Sequence, residues 1–202
     1  MGYHTSAPLP RARSAAALLG ALLLSACGGG VHYRAVSDVP VRVGRPYVVR
    51  GATYVPAADP AYDRLGYASW YGPESGSQTA NGERFRPDGI SAAHTTLPLP
   101  SYVEVTALET GRVIVVRVND RGPFTRNGRL IDLSRGAARL LGVHQTGVAP
   151  VRIRVVNPSE ADRRRLREGQ AASPRPSVSG RALADLRAQL AQAGPGSAVF
   201  AP

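Results

Sequence analysis

The chain has 202 residues, of which 43% are hydrophobic, 22 are Gly and 17 are Pro. That many helix-breaking residues disfavours a helical bundle and favours a β-rich domain with many loops. The single cysteine, Cys27, excludes an intramolecular disulfide and a multi-cysteine zinc site. The formal charge is +11 and every basic residue is Arg. Charge alone permits a nucleic acid, an anionic envelope polymer or a membrane surface as partner.

Residues 1–26 predict a lipoprotein signal peptide. Arg11 and Arg13 precede an apolar run that is too short to span a bilayer. The run ends in Leu24-Ser25-Ala26-Cys27, which resembles a bacterial lipobox, so we expect Cys27 to be lipidated as the mature N-terminus. The alternative is an ordinary signal peptide cut near a cysteine. We expect a lipid-anchored protein of the cell envelope, on the outer membrane and facing the periplasm, and export argues against a nucleic-acid partner.

Two flanking segments lack the pattern of a packed core. Residues 27–64 begin with the lipidated cysteine and a Gly triplet and contain scattered Pro, which predicts a flexible tether, although its Val-rich pieces favour an added edge strand. Residues 157–202 form an Arg/Pro/Gly-rich tail that we expect to be mobile. Ser159 and Asp162 predict a short capped helix there. A second weak amphipathic stretch is marked by Leu183, Leu186 and Leu190.

Residues 65–156 carry the strand patterns. Runs of β-branched or aromatic residues predict four strands: Leu65–Tyr71, Tyr102–Leu108, Arg112–Val118 and Val151–Val156. Arg129–Leu133 is a shorter candidate. One short helix is predicted over Arg135–Leu141, with Ser134 as its N-cap and Gly142 at its end. These elements predict a mainly β fold, a small closed barrel with one short helix.

Polar residues that could take part in a reaction lie in the predicted loops, namely Glu83, His94 and Asp120. A fourth, Asp132, lies in the short candidate strand before the helix. Loops on a rigid scaffold are where proteins usually display reactive groups. Each residue also has a structural explanation. Glu83 fits a solvated loop acid, Asp120 a turn residue that bonds its own backbone, His94 a core histidine and Asp132 a cap or an Arg partner.

Six ordered motifs identify a family resemblance. They are Ala68-Ser69-Trp70-Tyr71-Gly72, Thr79-Ala80-Asn81-Gly82-Glu83-Arg84-Phe85, Ala92-Ala93-His94-Thr95-Thr96-Leu97-Pro98, Val118-Asn119-Asp120-Arg121-Gly122-Pro123-Phe124, Ile131-Asp132-Leu133-Ser134 and Gly147-Val148-Ala149-Pro150-Val151. Together they closely resemble the rare lipoprotein A family over residues 65–156. The resemblance implies a six-stranded double-psi β-barrel related to expansins. It also implies a lytic transglycosylase that cleaves peptidoglycan glycan strands between MurNAc and GlcNAc and leaves 1,6-anhydro ends.

The resemblance places the family's functional acids on Glu83 and Asp120 and its histidine on His94, and Asp132 resembles the acid of expansin-type barrels. Glycosidic cleavage needs one carboxyl that stays protonated and one that stays ionised. We assign Asp120 as acid and base and Glu83 as the second carboxylate across the cleft, with the reverse assignment left open. His94 then orients a carboxylate or contacts the sugar. Arg121 lowers the pKa of Asp120 unless it turns away or burial prevails.

Other residues of the same motifs are candidates for substrate binding. Asn119 and Arg121 are expected to hold hydroxyl, lactyl or acetamido groups, and Thr79 and Asn81 belong to the motif that carries Glu83. Tyr71, with its neighbour Trp70, is a candidate for stacking on a sugar ring, although packing in the barrel is an equal alternative. No cofactor and no metal are expected.

The sequence departs from the family in two places. Residues 73–78 lack the aromatic and histidine that often precede the motif of Glu83. The tail after residue 156 is too poor in apolar residues for the C-terminal glycan-binding SPOR domain of many relatives. The function therefore has alternatives to the enzyme: a non-catalytic, expansin-like glycan binder, or a structural lipoprotein that docks on a division partner. A metal hydrolase using His94 is disfavoured because no close ligand spacing is present.

Overall fold

The structure, a computed structural model, describes residues 1–3, 31–124, 129–192 and 199–200. The apolar run of the predicted signal peptide and the predicted lipidation site, Cys27, lie outside the described residues. Everything reported below concerns the unit that begins at residue 32.

The described part of the chain contains nine strands and three α-helices. The strands are β1 (Tyr47–Val49), β2 (Ala52–Tyr54), β3 (Asp63–Tyr71), β4 (Ser91–His94), β5 (Ser101–Ala107), β6 (Val113–Asp120), β7 (Arg129–Ser134), β8 (Ala149–Val155) and β9 (Val199–Phe200). The helices are α1 (Arg135–Leu141), α2 (Glu160–Arg167) and α3 (Gly180–Gln192), with a 3-10 turn at Pro73–Ser75. None of the described helices has the length and apolar character needed to cross a bilayer.

Strands β3 to β8 close into a six-stranded barrel. The order is β7-β4-β6-β5-β8-β3, and β3 pairs back with β7 to complete the ring. The β3–β7 and β4–β6 pairs are parallel and the other neighbours in the ring are antiparallel. Buried β-branched and Leu side chains fill the interior, among them Val103, Val105, Ile131, Leu133 and Ile153. The predicted mainly β, closed six-stranded barrel is confirmed.

The local predictions inside the barrel are largely confirmed. Helix α1 has the predicted bounds: the Ser134 side chain accepts a hydrogen bond from the Ala137 N–H, and Gly142 ends the helix in the left-handed region with φ of 86°. Strand β4 was expected to be a loop. Its sequence, SAAH, has no β-branched residue, and its strand conformation comes from pairing with β6 and β7 on either side.

The segment expected to be a free tether lies against the barrel from residue 32 onward. Arg34 forms a parallel bridge with Glu83, and Arg42 forms an antiparallel bridge with Leu99. Asp38 forms ion pairs with the barrel residue Arg117 and with Arg167 of α2. The composition of this segment is that of a linker, and the contacts that fix it are not visible in the sequence because the partner residues are far away along the chain.

The tail also differs from the expected mobile segment. Both predicted helical stretches are present as α2 and α3. Leu166 of α2 joins the main core. The three predicted leucines of α3 form a second buried cluster with Leu65 and Leu108 of the barrel, namely Leu183, Leu186 and Leu190. The tail has too few apolar residues for a core of its own, and it packs instead on a core that the barrel supplies.

Candidate active site

One row of paired residues crosses four strands at the end of the barrel that carries the motifs. Ser69 of β3 pairs with Asp132 of β7, Asp132 pairs with Ala93 of β4, and Ala93 pairs with Asp120 of β6. Directly paired residues share a face of the sheet. Asp120 and Asp132 therefore face the same side, with Cα atoms about 10 Å apart across two strand spacings.

A β-bulge brings Asp120 into this row. Ala92 pairs with Val118 and Ala93 pairs with Asp120, so Asn119 is left as an extra residue on β6. Bulges commonly re-aim side chains beside active sites. In a regular ladder without the bulge, Asn119 would pair with Ala93, and Asp120 would not lie in the row of Asp132.

Asp120 has the surroundings of a proton donor. Its Oδ1 accepts hydrogen bonds from the Ala80 N–H at 2.7 Å and from the Arg121 N–H at 2.8 Å. Within the described ranges no group donates to Oδ2. Burial raises the pKa of Asp120 above its ordinary value of 3.8, and this outweighs the two N–H donors and the charge of Arg121, which act in the opposite direction.

Arg121 turns its guanidinium away from its neighbour Asp120. Nη1 donates to the carbonyl oxygens of Leu97 at 2.6 Å and His94 at 3.2 Å, and Nη2 donates to the carbonyl of Val43 at 3.1 Å. These bonds join three segments of backbone around the loop after β6. The guanidinium that the sequence offers for substrate binding is thus engaged with backbone carbonyls, and it positions the loop after β6.

Asp132 is the second acid of the row. Its Oδ1 accepts a hydrogen bond from the Ser69 hydroxyl at 2.5 Å, and Arg129 Nη2 lies 2.9 Å from both carboxylate oxygens. The loop that follows Asp120 comes close to it, since a Cβ added to Gly122 would lie 3.8 Å from Asp132 Oδ2. The two acids thus belong to one site.

The hydroxyl of Tyr71 is buried within electrostatic reach of both acids. The Ser91 side chain lies near it and lowers its pKa slightly, but the contact does not meet the geometry of a full hydrogen bond. Burial first, and then the charges of Asp120 and Asp132, raise the pKa of Tyr71 well above its usual range. The ring stacks on Phe85 with centroids 4.7 Å apart. One face of Tyr71 is therefore already used for packing, which favours the barrel-packing alternative.

Trp70 is occupied in a similar way. Its ring stacks on His144 with centroids 4.4 Å apart, and its Nε1–H donates to the His144 carbonyl at 3.1 Å. Neither aromatic of the Trp70-Tyr71 pair thus offers both faces to a sugar.

Glu83 lies inside the protein, not across an open cleft. Its side chain is 2% exposed and forms a two-pronged ion pair with Arg117, with Nη1 to Oε2 at 2.6 Å and Nη2 to Oε1 at 2.8 Å. Asn81 Nδ2 donates to Oε1 at 3.0 Å and Asn119 Nδ2 donates to Oε2 at 2.9 Å. Four donors therefore engage this carboxylate, and the arrangement holds it as a buried anion.

Glu83 still acts on the site through its loop. Asn81, one of its donors, also gives its backbone N–H to the carbonyl of Asn119 at 3.1 Å. Thr79 Oγ1 accepts a hydrogen bond from the Glu83 N–H, and the Thr79 N–H donates to the Glu83 carbonyl. The loop is thus closed on itself and fixed to the bulge of β6, where its Ala80 N–H reaches Asp120. Thr79, Asn81 and Asn119 use these contacts for positioning.

His94 is a buried, neutral side chain. Burial, followed by the charge of Arg121, lowers its pKa to about 3. Nδ1 accepts hydrogen bonds from the N–H groups of Thr96 and Leu97, so the ring proton is on Nε2 and is donated to Tyr62 Oη at 2.9 Å. Across the described residues His94 has no hydrogen bond to a carboxylate. It shapes the turn whose carbonyls hold Arg121.

Comparison with known proteins places this barrel in a family. Residues 64–153 match the family described as lytic transglycolase. The barrel domain belongs to this family. An endolytic peptidoglycan transglycosylase RlpA of Pseudomonas aeruginosa strain PAO1 is 47% identical over 155 residues, which is 76% of this chain and 42% of that protein. The same-named protein of strain UCBPP-PA14 is 53% identical over 115 residues, or 56% of this chain and 33% of that protein.

The chain therefore spans less than half the length of these two relatives. Among solved structures, a Streptomyces papain inhibitor is similar, with 23% identity and a TM-score of 0.42 over 50% of this chain and all of that one.

Arg117 is a residue of the site that the strand pattern conceals, because it lies within the otherwise apolar run of β6. An arginine inside such a run is itself a signal, because a fully buried Arg requires a partner acid. Arg117 is 2% exposed and binds Glu83, Asp38 and the carbonyl of Ser37. That signal predicts a buried acid as the partner of Arg117, and the structure shows that the partner is Glu83, in the loop between β3 and β4.

We predict that Glu83→Gln destabilises the transglycolase domain by about 3–5 kcal/mol, because Arg117 keeps its buried charge and loses its two-pronged partner. Urea unfolding measures this change. Glu160→Gln is the matched control, since the Glu160 side chain is 72% exposed and pairs with Arg167 at the surface, and we expect it to cost less than about 1 kcal/mol. Equal losses in the two variants would contradict the structural role of Glu83.

Proposed function

We propose that the chain is a peptidoglycan lytic transglycosylase, an enzyme that cleaves the β-1,4 bond between MurNAc and GlcNAc and leaves a 1,6-anhydro end. The observation that carries the proposal is the position of Asp120, which lies in the same row as Asp132 on one face of a barrel that matches the lytic transglycolase family. Burial raises the pKa of Asp120, which favours its role as a proton donor. The names of the relatives, which describe endolytic peptidoglycan transglycosylases, support the same substrate.

In the proposed mechanism Asp120 carries out both proton transfers. In its protonated form Asp120 gives the proton on Oδ2 to the glycosidic oxygen as the bond from that oxygen to C1 of MurNAc breaks. The C6 hydroxyl of the same MurNAc then attacks C1, and its proton returns to the Asp120 carboxylate. One C–O bond breaks, one forms, and the enzyme recovers its proton without a water molecule.

Asp132 replaces Glu83 as the second carboxylate in this proposal. Positive charge develops at C1 in the oxocarbenium-like transition state, and a fixed anion nearby stabilises it. Asp132 lies in the row of Asp120 and is only 15% exposed, with Ser69 and Arg129 fixing its orientation. Glu83 is engaged by four donors beneath the loop, so it supports the site without reaching the reacting atoms.

We also propose that Cys27 anchors the protein by lipid to the outer membrane, with the barrel facing the periplasm. The lipobox-like sequence that ends at Cys27 supports this proposal. Cells fed labelled palmitate are expected to label the wild-type protein and leave Cys27→Ser unlabelled. Label that persists in the variant would reject this cysteine as the acylated residue.

We predict that Asp120→Asn abolishes the release of 1,6-anhydro ends from glycan strands stripped of stem peptides, because Asn has no proton of suitable acidity to transfer. Mass spectrometry of the products measures this. Asp185→Asn, a change at an exposed acid on α3, is the control and is expected to retain full activity. A wild-type protein that sediments with the strands and produces no anhydro ends would favour the non-catalytic glycan binder instead.

We predict that kcat/KM falls as the pH rises through the raised pKa of Asp120. The reactive form is the protonated one, so activity is highest below that pKa and is lost above it. The descending limb should therefore lie above the ordinary Asp value of 3.8. Initial rates between about pH 4 and 8 measure the limb. A rate that rises across this range would assign Asp120 a base in the first step and contradict the proposal.

A further inference from the structure

The segment before the barrel presents three aromatic rings as a group. Tyr47 of β1 and Tyr54 of β2 are cross-strand partners, and their rings stack with centroids 5.3 Å apart. The ring of Phe124, from the loop after β6, meets them edge-on at 6.1 and 5.6 Å. We call Tyr47, Tyr54 and Phe124 the aromatic platform.

The aromatic platform adjoins the Asp120 end of the acid row. Phe124 follows Asp120 by four residues, so their Cα atoms are at most about 14 Å apart. The hairpin is fixed to the same loops, because Tyr47 Oη donates to the Thr95 carbonyl at 2.7 Å. Arg121 binds the carbonyl of Val43, just ahead of β1. The same backbone network that orients Asp120 thus also holds the platform.

The platform is not part of the hydrophobic core. All three rings are only partly buried, and none belongs to either buried cluster. The hairpin that carries two of the rings is short, with strands of three residues, and it exposes 66% of Val48 on its other face. A grouped set of half-exposed aromatic rings next to an active site is typical of a ligand surface.

We propose that the aromatic platform is a sugar-binding subsite that takes a pyranose ring of the glycan strand on the Asp120 side of the scissile bond. The inference rests on the proposed function. The C–H faces of a β-linked sugar pack against an aromatic ring, so the rings themselves supply the binding contact. Trp70 and Tyr71 lie in β3 of the barrel and each has one ring face packed, on His144 and on Phe85.

The experiment compares Tyr54→Ala with Tyr54→Phe, which keeps the ring, and with Tyr33→Ala as a matched control. Tyr33 is an exposed tyrosine of the same segment whose ring lies against Arg84 and not against the platform. The substrates are long glycan strands without stem peptides, and short fragments that end before the platform. For long strands we expect Tyr54→Ala to raise KM roughly fivefold with kcat unchanged. Tyr54→Phe and Tyr33→Ala should match the wild type.

The short fragments separate binding from folding. If the platform binds sugar, Tyr54→Ala acts on them like the wild type, and its thermal unfolding midpoint is unchanged. An equal loss on short and long substrates, or no change in KM on long strands, overturns the subsite. If the wild type releases no anhydro ends, sedimentation of each protein with the long strands decides the question. Weaker binding of Tyr54→Ala alone then supports the subsite while the proposed function fails.

Discussion

The buried ion pair between Glu83 and Arg117 is the constraint around which the site is built. Two opposite charges, each 2% exposed, lose their hydration on burial. They are tolerated because they pair with each other and because Asn81, Asn119, Asp38 and the Ser37 carbonyl supply further hydrogen bonds. Arg117 lies on β6, and Glu83 lies in the loop that reaches Asp120. Satisfying the pair therefore fixes the loop against the strand. Asn119, the bulged residue, donates to the same carboxylate and places the next residue in the acid row.

The two acids with the clearest family resemblance have different environments. Glu83 is surrounded by four hydrogen-bond donors, whereas Asp120 is partly buried and, within the described residues, has hydrogen-bond donors on one oxygen only. Burial raises the pKa of Asp120 above its ordinary value, and environments that differ in this way let two carboxylates take different parts in one site. In the proposed mechanism the loop of Glu83 therefore supplies structural support and the adjoining strand supplies the proton donor.

Both flanking segments take part in this construction. Asp38, ahead of the barrel, binds Arg117, and Arg167, behind it, binds Asp38. The segment before the barrel also carries the hairpin that forms the aromatic platform. The part of the chain that would hold and align a glycan therefore includes residues outside the range matched by the family, 64–153. A barrel reduced to that range would lose both the Asp38 contact and two of the three rings.

The sequence by itself determined the mainly β fold, every barrel strand except β4, helix α1 with its caps, and the motifs that carry the candidate acids Glu83, Asp120 and Asp132. These features follow from local patterns: alternation within a strand, a capping Ser, a left-handed Gly and ordered motifs. Only the tertiary structure decided that Glu83 is buried on Arg117, that His94 is a neutral core residue, and that the tether and tail pack on the barrel. Those outcomes depend on burial and on pairs such as Asp38 with Arg117, whose members are far apart in the chain. The sequence shows which groups are present, but it does not show which of them are buried together.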